Sequence, residues 1–138
     1  MYAFSNPVLV YQSGGIPILR LVTLDSPPGQ RTDALEYVVP QNRVFHLLHL
    51  YFRYILVATS GVHRVGFDLL SPDGTQITRL LFRYSLYNET PPGPSVSYAA
   101  NIIIPSGYKI VGYAINSTNT AIYTELSLFG IEYEIFRS

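Results

Sequence analysis

Val62-His63-Arg64-Val65-Gly66-Phe67-Asp68-Leu69-Leu70-Ser71-Pro72-Asp73-Gly74-Thr75-Gln76-Ile77-Thr78-Arg79-Leu80-Leu81-Phe82-Arg83 reads as two strands joined by a tight reversal. Proline at the first turn position and Asp-Gly after it supply the backbone angles of a short turn. Before the turn, His63, Val65, Phe67 and Leu69 share one face and Arg64, Gly66 and Asp68 the other. After it, Ile77, Arg79, Leu81 and Arg83 oppose Thr78, Leu80, Phe82 and Tyr84. This period of two is that of a half-buried strand, and no stretch of the chain gives a capped helical stripe of ten residues.

Outward from this hairpin the same punctuation recurs. Turn clusters stand at Gln12 to Gly15, Asp25 to Gly29, Gln41-Asn42, Ser60-Gly61, Asn88 to Pro94, Ser106-Gly107 and Asn116 to Asn119. The intervening segments are rich in the β-branched and aromatic residues that suit a pleated surface. Eight strands are expected, at 7–11, 16–24, 34–39, 43–58, 62–70, 75–83, 96–104 continued by 107–116, and 120–136. That pattern predicts an all-β fold, a two-sheet antiparallel sandwich of jelly-roll type. The segment 43–58 is ambiguous, because Val44, Leu47, Leu48, Tyr51 and Ile55 also fall at helical spacing. Phe45, Phe52 and Leu56 on the other side favour a strand, with a bulge or bend near Tyr51–Arg53 where the chain changes sheets. His46, His49 and Arg53 within it argue against a membrane span.

One internal echo stands out. Val38-Val39-Pro40-Gln41-Asn42-Arg43-Val44 parallels Ile103-Ile104-Pro105-Ser106-Gly107-Tyr108-Lys109-Ile110. Each is a β-branched pair, a proline that ends the pairing, a polar turn and a new strand, so both are expected to be corners of the sandwich.

The 138 residues fit one domain, divided here into residues 1–35 (an N-terminal arm and first strands) and a sandwich body, 36–138. Nine basic and nine acidic residues give zero formal net charge without basic runs, which disfavours nucleic acid and anionic membrane as partners. Cysteine is absent, so disulfides and thiolate metal sites are excluded. The opening residues from Met1 to Pro7 carry neither basic charge nor an apolar core and are not expected to form a signal peptide. Charged residues make up only 13% of the chain, against about 25% in ordinary soluble domains. Twelve tyrosines and seven phenylalanines accompany that low charge. Such a composition suits a surface that other chains cover.

A search for chemistry finds little. His46 and His49 differ by an odd number of positions, so on a regular strand they face opposite sides and cannot share a metal. His63 has only Asp68 nearby in sequence, on the other face. Glu132 and Glu134 share one face of the last strand and read as a solvated edge. No nucleophile elbow, phosphate loop or dinucleotide fingerprint occurs. No catalytic, cofactor or metal residue is therefore assigned, and the chain is expected not to be an enzyme. Asn88-Glu89-Thr90 and Asn116-Ser117-Thr118 match the glycosylation pattern but read as polar loops.

Val39-Pro40, Thr59-x-Gly61-x-His63-Arg64-Val65-x-Phe67, Asp73-Gly74, Ile104-Pro105-Ser106-Gly107-Tyr108-Lys109-Ile110 and Glu132-Tyr133-Glu134 follow one another in an order that resembles the small β-sandwich virion structural proteins of tailed bacteriophages. In those proteins VPAGK-like and LPAGY-like corners bracket the sandwich. The resemblance spans residues 36–136 and departs at Gln41-Asn42-Arg43, where a small residue and glycine are expected. It implies a virion structural subunit, such as a capsid decoration (cement) protein or another head or tail accessory subunit. Proteins of that kind are often homotrimers that bind their own copies and the major capsid or other virion proteins, and they stabilise a shell by bridging neighbouring capsomers. Candidate interface residues are Tyr2, Phe4 and Tyr11 on the arm, and Tyr84, Tyr87 and Tyr98 around the proline loop. The alternative is a carbohydrate- or receptor-binding sandwich of a phage tail or head fibre, against which the absence of tryptophan weighs.

Overall fold

In a computed structural model that describes residues 15–89 and 93–135, the chain forms eight strands and no helix among the described residues. They are β1 (Ile16–Ser26), β2 (Gln30–Val38), β3 (Arg43–Ile55), β4 (Gly61–Leu70), β5 (Gln76–Leu86), β6 (Ser95–Ile104), β7 (Lys109–Thr118) and β8 (Ile122–Glu134). Two antiparallel sheets stack, sheet A in the order β1-β8-β3-β6 and sheet B in the order β2-β7-β4-β5. The fold is a β-sandwich of jelly-roll type.

The topology follows from one long antiparallel ribbon. Strand β4 pairs with β5, β3 with β6, β2 with β7 and β1 with β8, so the chain is a hairpin with two arms, folded as a unit. Its tip is the Ser71–Gly74 turn, closed by a 2.9 Å bond from the Gly74 N–H to the Ser71 carbonyl. Rolling the ribbon adds the β3–β8 and β4–β7 ladders and brings the two sheets face to face. Inward residues of both sheets fill the core, with Phe45, Leu47, Leu50, Phe52, Phe67, Ile104, Ile110, Leu126 and Leu128 fully buried.

The two echoing corners are the same bend on the two arms. Each carries the chain between sheets, β2 to β3 and β6 to β7. Within them the Arg43 N–H reaches the Pro40 carbonyl and the Tyr108 N–H reaches the Pro105 carbonyl, both at 3.3 Å. The bends also hold each other. The Val39 N–H donates to Tyr108 and the Gly107 N–H donates back to Val39, each at 2.9 Å. The Arg43 N–H donates to Ser106 Oγ at 3.1 Å, and the Ser106 hydroxyl donates to the Arg43 carbonyl.

Several sequence expectations are refined. Residues 96–116 form two strands in different sheets, β6 and β7, because Pro105 stops the first ladder. The segment 7–11 lies outside the described residues. Strand β3 is a strand but never changes sheet, and its bulge is at Leu48 instead of Tyr51–Arg53. Leu48 is the extra residue against β8, so the inward set changes from Phe45 and Leu47 to Leu50, Phe52 and Tyr54.

The first corner, which has no glycine, keeps its geometry through Asn42. Its φ is 62°, matching the 83° of Gly107 at the equivalent place in the second corner. Asparagine tolerates this left-handed region better than other side chains. Replacing Asn42 by Ala is therefore expected to lower unfolding stability by about 1 kcal/mol, while Asn42→Gly stays within about 0.5 kcal/mol of wild type. Urea titration of the three proteins checks this.

Candidate assembly surface and buried polar groups

The outer faces of the two sheets differ in charge. On sheet A the outward residues include Leu19 and Leu21 of β1, Phe129 and Ser127 of β8, His46, His49 and Tyr51 of β3, and Ala99, Asn101 and Ile103 of β6. From the level of Pro17 and Ile131 to that of Leu21 and Ser127 this face carries no Asp, Glu, Lys or Arg among the described residues. Leu19, Leu21 and Ile103 are 65%, 64% and 58% exposed. Charge returns only toward the far end, where Arg53 holds Glu125 through two bonds of 3.0 and 3.1 Å and Tyr123 donates to the same carboxylate at 2.7 Å. Those bonds keep the Glu125 carboxyl below the usual carboxylate range. The outer face of sheet B, in contrast, presents Arg31, Asp33, Glu36, Arg64, Asp68, Arg79 and Lys109.

The bulge at Leu48 corrects the expectation for the histidines. Because it shifts the alternation by one, His46 and His49 both lie on the outer side of sheet A. His46 Nε2 bonds Asn101 Oδ1 at 2.5 Å. No group of three or more His, Asp or Glu side chains gathers in metal-binding fashion among the described residues.

Glu132 is not on a solvated edge. Strand β8 lies between β1 and β3, and Glu132 points inward, buried, where it accepts a hydrogen bond from the Tyr37 hydroxyl and a 3.2 Å bond from Arg43 Nη1. Burial and the neighbouring carboxylate push the Tyr37 phenol up. Glu134 is exposed and 3.9 Å from Arg43. The cluster ties β2, β3 and β8 together just below the paired bends.

On sheet B, Asp68 is 5% exposed although it belongs to the outer face. The Tyr113 ring, which lies against Gly66 opposite it on β4, covers this region, with Arg31 stacked on that ring at 4.1 Å. Arg79 Nε stands 3.9 Å from Asp68 and packs on Phe82 at 4.3 Å. Desolvation pushes the Asp68 carboxyl up.

Asn116 shows why its sequence pattern is structural. Fully buried at the end of β7, its amide donates to the carbonyls of Ser26 and Thr120 at 2.7 and 2.8 Å, and its oxygen accepts from the Thr118 N–H and hydroxyl. All its bonding capacity is used on the β1–β2 and β7–β8 bends, the second pair of bends on the ribbon.

Of the interface candidates, Tyr2, Phe4 and Tyr11 lie outside the described residues. Tyr84, Tyr87 and Tyr98 are all exposed. Tyr84 stands on the outer side of sheet B at edge strand β5, and Tyr98 on the core-facing side of edge strand β6, so they do not form one continuous face.

No family model matches the chain, and no curated protein matches it in sequence. Among solved structures, the SPBc2 prophage-derived protein YomS is similar at 12% identity over 83% of this chain and 95% of that one, with a TM-score of 0.46. A structure of Bacillus endospore appendages, described as disulfide-linked pili, is similar at 11% identity over 88% and 89% of the two chains, with a TM-score of 0.44. A nora virus structure is similar at 14% identity over 91% and 62%, with a TM-score of 0.41.

His63, the third histidine, points into the core with no exposure. The Thr124 hydroxyl donates to the Ile122 carbonyl at 3.1 Å and so accepts from His63 Nε2 at 3.2 Å, which leaves Nδ1 bare. The ring stands edge-on to Tyr54, centroids 4.7 Å apart. Burial drops its pKa to about 4, from an ordinary value of 6.5. The unfolded chain therefore binds this proton more tightly. Stability is full above about pH 6.5 and is lost as pH falls toward 4, by on the order of 3 kcal/mol in all. Asp68, with its raised pKa, acts in the opposite sense. The comparison with a variant isolates His63: His63→Gln is expected to flatten the fall in urea midpoint between pH 7 and pH 4.5, and an unchanged slope would contradict this origin.

Proposed function

We propose that the chain is a non-enzymatic structural subunit of a phage virion. Its role is that of a capsid decoration protein that stabilises the shell by bridging capsomers. The observation that carries this reading is the uncharged middle of the outer face of sheet A, with Leu19, Leu21 and Ile103 open to solvent on it. An apolar field of that kind, on a chain of zero net charge, favours being covered by protein. The corner sequences and their order support the virion setting. Each contact is weak, and a shell offering many equivalent sites multiplies it. Exposed Tyr84 and Tyr87 favour a second reading, in which the β5 edge receives a sugar or a host receptor.

Co-sedimentation with expanded capsid shells tests the first reading. Wild type is expected in the pellet. Ile103→Lys, which adds a charge to the face at an already exposed position, is expected to weaken binding tenfold or more, about 1.4 kcal/mol, with an unchanged thermal midpoint. Wild type that stays in the supernatant and labels a glycan array through Tyr84 would favour the second reading instead.

A further inference from the structure

Among the described residues, four strands end the two sheets, β1 and β6 in sheet A and β2 and β5 in sheet B. Three of them carry the irregularities that discourage a sheet from pairing with another chain. The β2 ladder shifts register between Asp33 and Leu35 and bears Arg31, Asp33 and Glu36. The β5 ladder shifts twice and bears Arg79 and Arg83. The β6 ladder shifts opposite Leu47 and His49. Strand β1 carries Pro17, Arg20 and Asp25, but its eleven residues, from Ile16 to Ser26, run beside β8 without one register shift. Its one cation, Arg20, belongs to the core-facing set and reaches over the Tyr37 ring at 5.7 Å, away from the outer face. Leu19 and Leu21 stand exposed on that outer face.

We propose that the free edge of β1 pairs with the β1 edge of a second copy, antiparallel about a two-fold axis through Leu21. The register follows from the pleat. Outward residues must meet outward residues, so the two paired numbers must sum to an even value. An axis at Arg20 sets Arg20 against its own copy, and like charges directly opposite destabilise a sheet. An axis at Leu19 leaves Thr23 to Ser26 beyond the end of the partner's strand. An axis at Leu21 avoids both faults. It places Leu21 on Leu21, Leu19 on Thr23, Arg20 on Val22 and Pro17 on Asp25, and it overlaps the whole strand, with Ile16 opposite Ser26. Sheet A then continues across the pair as eight strands.

The contact is modest. An edge about 37 Å long and roughly 10 Å thick covers on the order of half of the ~800 Å² per partner typical of stable complexes. The dimer is therefore of the weak class, populated at about micromolar concentrations and above, and reinforced where many copies are held together. This inference rests on the assembly reading and specifies one of its contacts. A two-fold contact builds dimers, whereas the family resemblance implies trimers.

The chain has no cysteine, so a single introduced one reports its own symmetry mate. Leu21→Cys is expected to form a disulfide-linked dimer on mild oxidation, because residues directly opposite in a ladder lie within disulfide reach. Ile77→Cys, equally exposed but on the β5 edge, is the control and is expected to remain largely monomeric. In light scattering across a concentration series, wild type is expected to pass from monomer to dimer, and Leu21→Lys to remain monomeric with its fold intact by circular dichroism. Oxidation of Leu21→Cys no faster than Ile77→Cys, or a Leu21→Lys variant that associates like wild type, overturns the edge pairing while leaving the assembly reading in place. A wild type that is monomeric at every concentration and ignores capsid shells overturns both.

Discussion

The bends between β2 and β3 and between β6 and β7 hold each other by backbone hydrogen bonds, and the rest of the molecule is arranged around that clasp. A ribbon of two antiparallel arms buries its apolar face only if both arms turn at the same level. Wherever the arms leave one sheet for the other, their N–H and C=O groups lose ladder partners and need replacements. Here the replacements come from the opposite arm: Val39 exchanges bonds with Gly107 and Tyr108, and Arg43 with Ser106. The Tyr37–Glu132–Arg43 cluster just beneath extends the same tie into the core. Asn116 performs the corresponding task at the opposite end, with its side-chain amide bridging the other two bends.

Once the ribbon is rolled, the two outer faces acquire different characters. Sheet B carries seven of the chain's eighteen charged residues on its outside, including the Arg31–Tyr113 stack and the Asp68–Arg79 approach. Sheet A keeps an uncharged middle bordered by the Arg53–Glu125–Tyr123 network. The proposed association falls to that uncharged middle of sheet A. The regular edge of β1 borders that uncharged field, so edge and face form one continuous region.

Local chemistry made much of this legible in the residues. Pro72-Asp73-Gly74 announces the ribbon tip because a tight turn demands those residue types. The echo between Val39-Pro40 and Ile104-Pro105 announces paired bends, because proline ends a ladder wherever it occurs. The places where reading failed depend on distant partners. Glu132 resembles an edge acid until Arg43 and Tyr37 are brought to it. The bulge at Leu48 is visible as a change of apolar parity, from Phe45 and Leu47 to Leu50, Phe52 and Tyr54, but Val44, Leu48, Tyr51 and Ile55 fill the other parity with apolar residues and conceal it. The uncharged face of sheet A was invisible because its members come from four strands whose adjacency is decided by the roll. Leu19 and Ile103 share a surface only through β8 and β3.

Amide hydrogen exchange, compared between the dilute chain and the chain assembled with its own copies or on capsid shells, tests the central claim that sheet A and its β1 edge are the surface of association. The account requires new protection in β1, above all from Leu19 to Thr23, with little change in the β2 and β5 edges of sheet B. Protection that appears on β2 or β5 and spares β1 would contradict it.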